Sequence, residues 1–162
     1  MIRLSFSQAT GHLSAWMEFV AGSALIGVML LIGADIVGRL FGHPVPGTYE
    51  IVSLAGGLIV GLALPATSMA KGHISTDLLT AKLSAKSNFL LAVITRSMGI
   101  GIFLLAGYGT IRMGVRLRVS GEVTAVLAFP FYYVAYAVGG AFLVQTLVLF
   151  SELLGTIQKR ER

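Results

Sequence analysis

The sequence predicts an all-α polytopic membrane protein, with four transmembrane helices and a short amphipathic helix lying at the interface. Three observations carry that expectation. Of 162 residues, 56% are apolar and 12% charged, about half the charge of an ordinary soluble domain. Four apolar stretches, at about 15–41, 48–69, 88–111 and 123–154, are each long enough to cross a hydrocarbon core, which takes roughly 20 residues at about 1.5 Å each. The ionic groups gather at the ends of those stretches, as expected where hydrocarbon penalises each charge. The mean hydropathy of +0.86 agrees. The stretches consume most of the chain, so residues 1–162 are expected to form one membrane domain.

The first stretch opens near Trp16, placed as an interfacial anchor would be, with Glu18 just inside it. An acid in the first turn of a helix is favoured by the macrodipole, which gives Glu18 a structural role. The residues before it are too polar and too poor in basic side chains for a signal peptide, so this segment is expected to remain. Ser23 and Gly27 stand four apart and would let another helix approach closely. Asp35 and Arg39, also four apart with the acid first, share one helix face near the end of the segment.

A short Gly/Pro turn leads to Glu50, which opens the second stretch. Gly57, Gly61 and Pro65 recur every four residues there and make a face without bulky side chains. Such a face serves either internal packing or contact with a partner subunit. Pro65 removes one backbone hydrogen bond and should kink the helix near its end. The following KGHISTDLLTAKLSAKSN predicts an amphipathic helix over about 75–86, with Ile74, Leu78, Ala81 and Ala85 on one side and Lys82 and Lys86 near its flank. A partly helical polar connector is the alternative.

The third stretch carries Arg96 about two turns from its start, where the side chain is expected to snorkel to the near surface rather than pair inside the bundle. Gly99, Phe103 and Gly107 align as another small face. Arg112, Arg116 and Arg118 follow in the next loop, before Ser120-Gly121 breaks the pattern. The fourth stretch is expected to open at Val123, with Pro130 in its early turns, where proline does least damage. Tyr132, Tyr133 and Tyr136 cluster there as an interfacial aromatic belt would, and Gln145 is the one strongly polar side chain deep in the segment.

Orientation follows from Lys and Arg. With a cytoplasmic N-terminus, Arg3, Lys71, Lys82, Lys86, Lys159, Arg160 and Arg162 lie inside, against Arg112, Arg116 and Arg118 outside. Seven against three predicts both termini in the cytoplasm. The three outward arginines oppose that bias and are candidates for meeting an acidic partner surface. The formal net charge of +5 therefore points to membrane orientation rather than to nucleic acid.

The absence of cysteine excludes thiolate metal sites, disulfides and thiol nucleophiles. His12, His43 and His73 are scattered at segment ends, which is no pattern for zinc or haem, so neither metal nor cofactor is expected. No phosphate-binding loop, dinucleotide fingerprint or hydrolase motif occurs. A self-sufficient transporter would show inverted repeats with broken helices, and none is discernible. Asp35, Arg39 and Glu50, with His73 and Asp77 four apart beyond the second segment, are left as a polar set around one membrane hairpin. The set fixes that hairpin, docks a partner subunit or gates a path.

These residues resemble those of a known family. Asp35 and Arg39, a Gly/Pro loop, Tyr49-Glu50, a Gly-rich span, and Gly72-His73-Ile74 with Asp77 are similar in order and spacing to the DctQ-like small membrane subunit of TRAP (tripartite ATP-independent periplasmic) transporters. The later element from Gly121 through Pro130 to Tyr133 matches as well. The resemblance covers nearly the whole chain, departing at Thr48-Tyr49, where relatives commonly carry Trp. It implies a multi-pass subunit of the bacterial inner membrane that braces a large DctM-like membrane subunit. That subunit would carry the substrate and ion sites, and a DctP-like periplasmic binding protein would deliver an organic acid. On this reading the chain is no enzyme; it is a scaffold for ion-coupled symport, surrounded by membrane lipid. Two other classes compete: a membrane anchor of a respiratory enzyme, which needs facing haem-ligand histidines, and a self-contained small channel.

Overall fold

The computed structural model describes residues 2–69 and 85–161. Four helices make up the described chain: α1 (Ile2–Leu40), α2 (Thr48–Met69), α3 (Ala85–Ser120) and α4 (Tyr132–Glu161). Each contains a window apolar and long enough to cross a membrane. His73, Asp77 and the greater part of the expected amphipathic helix lie outside the described residues. Its last two positions form the first turn of α3.

Helix ends depart from the apolar stretches in physically intelligible ways. α1 starts at Ile2 rather than near residue 15, because a helix continues through polar sequence as long as nothing breaks it. α3 likewise runs on to Ser120, carrying its arginines on helix instead of in a loop. The fourth segment is shorter than expected at its start. Val123 to Phe131 is not helical; Pro130 precedes the helix rather than sitting in its early turns. Gly121 ends α3 with a φ of 69°, and Ala128 is itself left-handed at 52°. An antiparallel bridge joins Val123 to Pro130 across this loop.

α1 closes with a Schellman turn. The His43 amide donates to the Gly38 carbonyl (2.8 Å) and the Gly42 amide to the Arg39 carbonyl (3.2 Å), with Gly42 left-handed at φ 75°. A Cβ at Gly38 would strike the carbonyl oxygen of His43, so the turn requires glycine there.

The helices form a row in the order α1, α2, α4, α3, with α1 leaning lightly on α4. α1 packs through a narrow seam: Thr10, Ser14, Ala21 and Asp35 are buried, with Met17, Ala24, Val28 and Leu31 half-buried between them. Steps of three and four give the seam a heptad period, as in a coiled coil. From His12 to Leu40 the other positions of α1, Gly38 apart, are exposed and mostly apolar, as is one side of α3. α4 is central and the most enclosed, with 33% of its spanning window buried against 0% for α3.

Candidate functional site

The two described interhelical loops, α1–α2 and α3–α4, meet at one end of the row, and two carboxylates hold them there. Asp35, in the last turns of α1, is 6% exposed. Its Oδ2 accepts from Arg39 Nε and its Oδ1 from the Val45 amide, both at 2.8 Å. One side chain thus ties the end of α1 to the turn that follows it. Val45 is the donor available between Pro44 and Pro46, neither of which has an N–H. The Arg39 guanidinium, half exposed, lies over the Tyr49 ring at 5.8 Å. The Thr48 hydroxyl donates to the Val45 carbonyl at 2.9 Å.

Glu50 does not join this pair. It sits in the first turn of α2, and its carboxylate accepts from the amides of Val126 (2.7 Å) and Leu127 (3.0 Å). The acid therefore binds the α3–α4 loop and cross-links the two hairpins. The loop is shaped for this by Thr124, 3% exposed. Its amide donates to the Phe129 carbonyl (2.9 Å), while its Oγ1 accepts from the Phe129 amide (3.0 Å). Leu127 covers Gly47, where a Cβ would approach its Cγ to 2.7 Å. Gly47 is left-handed as well, with φ 77°.

Of the small-residue stripe, Gly61 serves internal packing: its Cβ position faces Val138 at 3.5 Å and Ala141 at 3.7 Å on α4. Gly57 is exposed, with open space where its Cβ would be. A spacing of four residues drifts around a helix of 3.6 residues per turn, so one stripe divides between two surroundings.

At the opposite end, Arg96 pairs with Glu152 on α4 at 3.3 Å and donates to the Thr156 hydroxyl. The expectation that it snorkels rather than pairs is corrected: an acid on the facing helix, 56 positions away, takes its guanidinium. Nearer the middle, Gln145 is 1% exposed and its Nε2 donates to Ser68 Oγ at 2.6 Å. Sequence reasoning had no partner for Gln145 or Arg96, and missed Thr124, Ser68 and Glu152. An acid one helix length after a basic residue in a facing segment is the signal that was available for Glu152.

Arg112, Arg116 and Arg118 are exposed and form no ion pair among the described residues. Arg112 lies over the Tyr108 ring at 5.7 Å. Nearby, Tyr132 stacks on Tyr133 with centroids 4.2 Å apart, and Tyr136 meets Tyr132 edge-on. No cluster of metal-ligating side chains occurs among the described residues. Chemically, the acids at both ends bind groups of their own chain, so the arrangement fastens helices together.

Among known families, the chain matches the DctQ component of the tripartite ATP-independent periplasmic transporters over residues 28–159. Neither a curated protein nor a solved structure matches it. The match begins within α1 and takes in α2, α3, most of α4 and the α3–α4 loop that Glu50 holds. The chain belongs to the DctQ component family of the tripartite ATP-independent periplasmic transporters.

Proposed function

We propose that the chain is the small, non-catalytic scaffold subunit of a TRAP-type symporter. It supports ion-gradient-driven uptake of an organic acid, a carboxylate, delivered by a periplasmic binding protein. Its partners are a DctM-like large membrane subunit, a DctP-like binding protein and membrane lipid. It sits in the bacterial inner membrane with both termini in the cytoplasm. The family supports the transporter assignment. The observation that favours a brace is the fastening of the two hairpins by Glu50 at the loop end.

Within that role Asp35 and Arg39 shape the hairpin end offered to the large subunit, and Glu50 holds the second hairpin against it. Gly57, open on the surface, is the point of close approach for a helix of the large subunit, while Gly61 keeps α2 seated on α4. His73 and Asp77 extend the same interface beyond α2. Arg112, Arg116 and Arg118 meet acidic groups of the binding protein.

Proteoliposomes test the assignment. Carboxylate uptake should require this chain, the large subunit and the binding protein together. Flux through vesicles holding this chain alone would overturn it. Replacing the three arginines by Gln should weaken binding-protein docking at low ionic strength and change little at high salt.

A further inference from the structure

The contacts fix how far each helix is displaced along the row. α3 and α4 run antiparallel, with Gly114 against Tyr136 and Ala135, Gly107 against Phe142 and Leu143, and Gly99 against Leu149. α2 and α4 run parallel, joined by Gly61 with Val138 and by Ser68 with Gln145. The Glu50 contacts to Val126 and Leu127 extend the same offset to the loop end. α1 and α2 run antiparallel, from Gly11 beside Met69 to Asp35 beside Val45. Chained together, these contacts put residues of α1 and α3 at equal height when their numbers differ by about 90, counting roughly 1.5 Å of rise per residue.

The apolar runs on the two flanking helices are not at equal height. On α1 the charge-free run lies between Glu18 and Asp35; on α3 it lies between Arg96 and Arg112. By the register above, Glu18 is level with Tyr108, Arg112 with Gly22, and Arg116 with Ile26. The midpoints of the two runs, near Ile26 and Leu104, are offset by about a dozen residues, or roughly 18 Å. A row standing upright must therefore hold Glu18, or Arg112 and Arg116 with no ion pair among the described residues, deep in hydrocarbon, where charge is penalised.

We infer that the four-helix row lies obliquely in the bilayer, so that one slanted apolar band fits the hydrocarbon layer. Somewhat less than three interhelical steps of about 9 Å separate α1 from α3, since α1 also touches α4, so an offset of roughly 18 Å corresponds to a tilt of roughly 35–40° in the plane of the row. That is within the range of membrane helices, up to about 40°. The tilt brings Glu18 and Trp16 toward one interface together with the Arg96–Glu152 pair. Asp35, Arg39, Arg112 and Arg116 then approach the other, with Tyr132 and Tyr133 beside them. It accounts for the length of the described helices, since an oblique path through the bilayer is longer than a perpendicular one. Arg112 and Arg116 reach the phosphate layer, and Tyr108 lies beneath Arg112 where an amphipathic ring belongs.

The chain has no cysteine, so single-cysteine labelling reports depth cleanly. Ile26 and Leu105 are exposed by 61% and 69%, and Ala15 is exposed at the height of Leu105. A fluorophore on I26C, L105C or A15C, in proteoliposomes of the full chain, is quenched by phospholipids brominated at successive acyl positions. The oblique row predicts equal depth for I26C and L105C, with A15C about 13 Å nearer the surface. An upright row, including one held upright by a protein covering α1, gives A15C and L105C equal depth and sets I26C apart by about 16 Å. That result would overturn the inference. L25C and I102C repeat the comparison should one of the first variants fail to fold. Depth is read without transport, so the outcome is independent of the proposed role.

Discussion

Ser68→Ala is expected to destabilise the protein more than Gln145→Leu, although Gln145 is the larger and more polar residue. Gln145 is 1% exposed, and its Nε2 donates to Ser68 Oγ at 2.6 Å. Its Oε1 is buried and accepts no hydrogen bond among the described residues. Removing the Ser68 hydroxyl strands both ends of an enclosed amide in an apolar interior. Leaving a buried polar group unsatisfied costs about 1–3 kcal/mol. At about 1.4 kcal/mol per decade, Ser68→Ala shifts the folding equilibrium by roughly 5- to 150-fold.

Gln145→Leu keeps the volume and removes the stranded carbonyl together with the amide. The Ser68 hydroxyl can then turn to a carbonyl of its own helix. Thr67 does this with Ala63 and Thr146 with Phe142, both at 2.9 Å. The interhelical hydrogen bond forgone averages about 0.6 kcal/mol in membrane proteins, so Gln145→Leu should fall within about 1 kcal/mol of wild type. The double variant should match Gln145→Leu, which makes the two sites strongly non-additive. Unfolding in mixed micelles, followed by helical circular dichroism as denaturing detergent is raised, measures all three. The reasoning fails if Gln145→Leu costs as much as Ser68→Ala, or if the two losses add.

Four further outcomes follow from the loop end and the glycines. Glu50→Gln halves the acceptor capacity facing Val126 and Leu127 and removes its charge, so those two amides should exchange with deuterium faster while α4 stays protected. Asp35→Ala leaves Arg39 and the Val45 amide without their acceptor, and should lower co-purification with the large subunit more than Arg39→Lys does. Gly61→Leu should separate α2 from α4 and lower stability, whereas Gly61→Ala, whose Cβ meets only ordinary contacts at 3.5 Å or beyond, is tolerated. Gly57→Leu should keep the chain folded while weakening capture of the large subunit.

The four helices were legible because hydrocarbon imposes a length that composition reveals directly. The loop from Val123 to Phe131 was not, and the reason is specific. Its side chains are as apolar as a membrane helix, so hydropathy alone extends the fourth segment through it. What unwinds it is distributed over the fold: a left-handed Ala128, the Thr124 bonds to Phe129, and a Glu50 carboxylate 76 positions from the first amide it holds. Asp35 with Arg39 was readable because both partners share one helix face. Arg96 with Glu152, and Glu50 with its loop, were not, because their partners are set by helix register, which a single sequence does not display. The glycine stripe was visible as a stripe, but helical drift decided which member went inward.

The division of labour among polar groups follows from that register. Each hairpin is closed at the loop end by a carboxylate that binds backbone amides, and such acceptors hold a loop without a long side chain to order. At the opposite end the fastening between α3 and α4 is an Arg–Glu pair reinforced by a threonine hydroxyl. Between these ends, Gln145 and Ser68 supply a buried side-chain hydrogen bond between α2 and α4. Small residues do the remaining work of bringing backbones close, at Gly61, Gly107 and Gly139. A protein fastened in this way keeps its two hairpins in fixed register while leaving the outer surfaces of α1 and α3 apolar and free of internal obligations. A row fastened at both ends, with broad lipid-compatible flanks, would suit the proposed brace, since a partner moving against it would need a surface that does not yield.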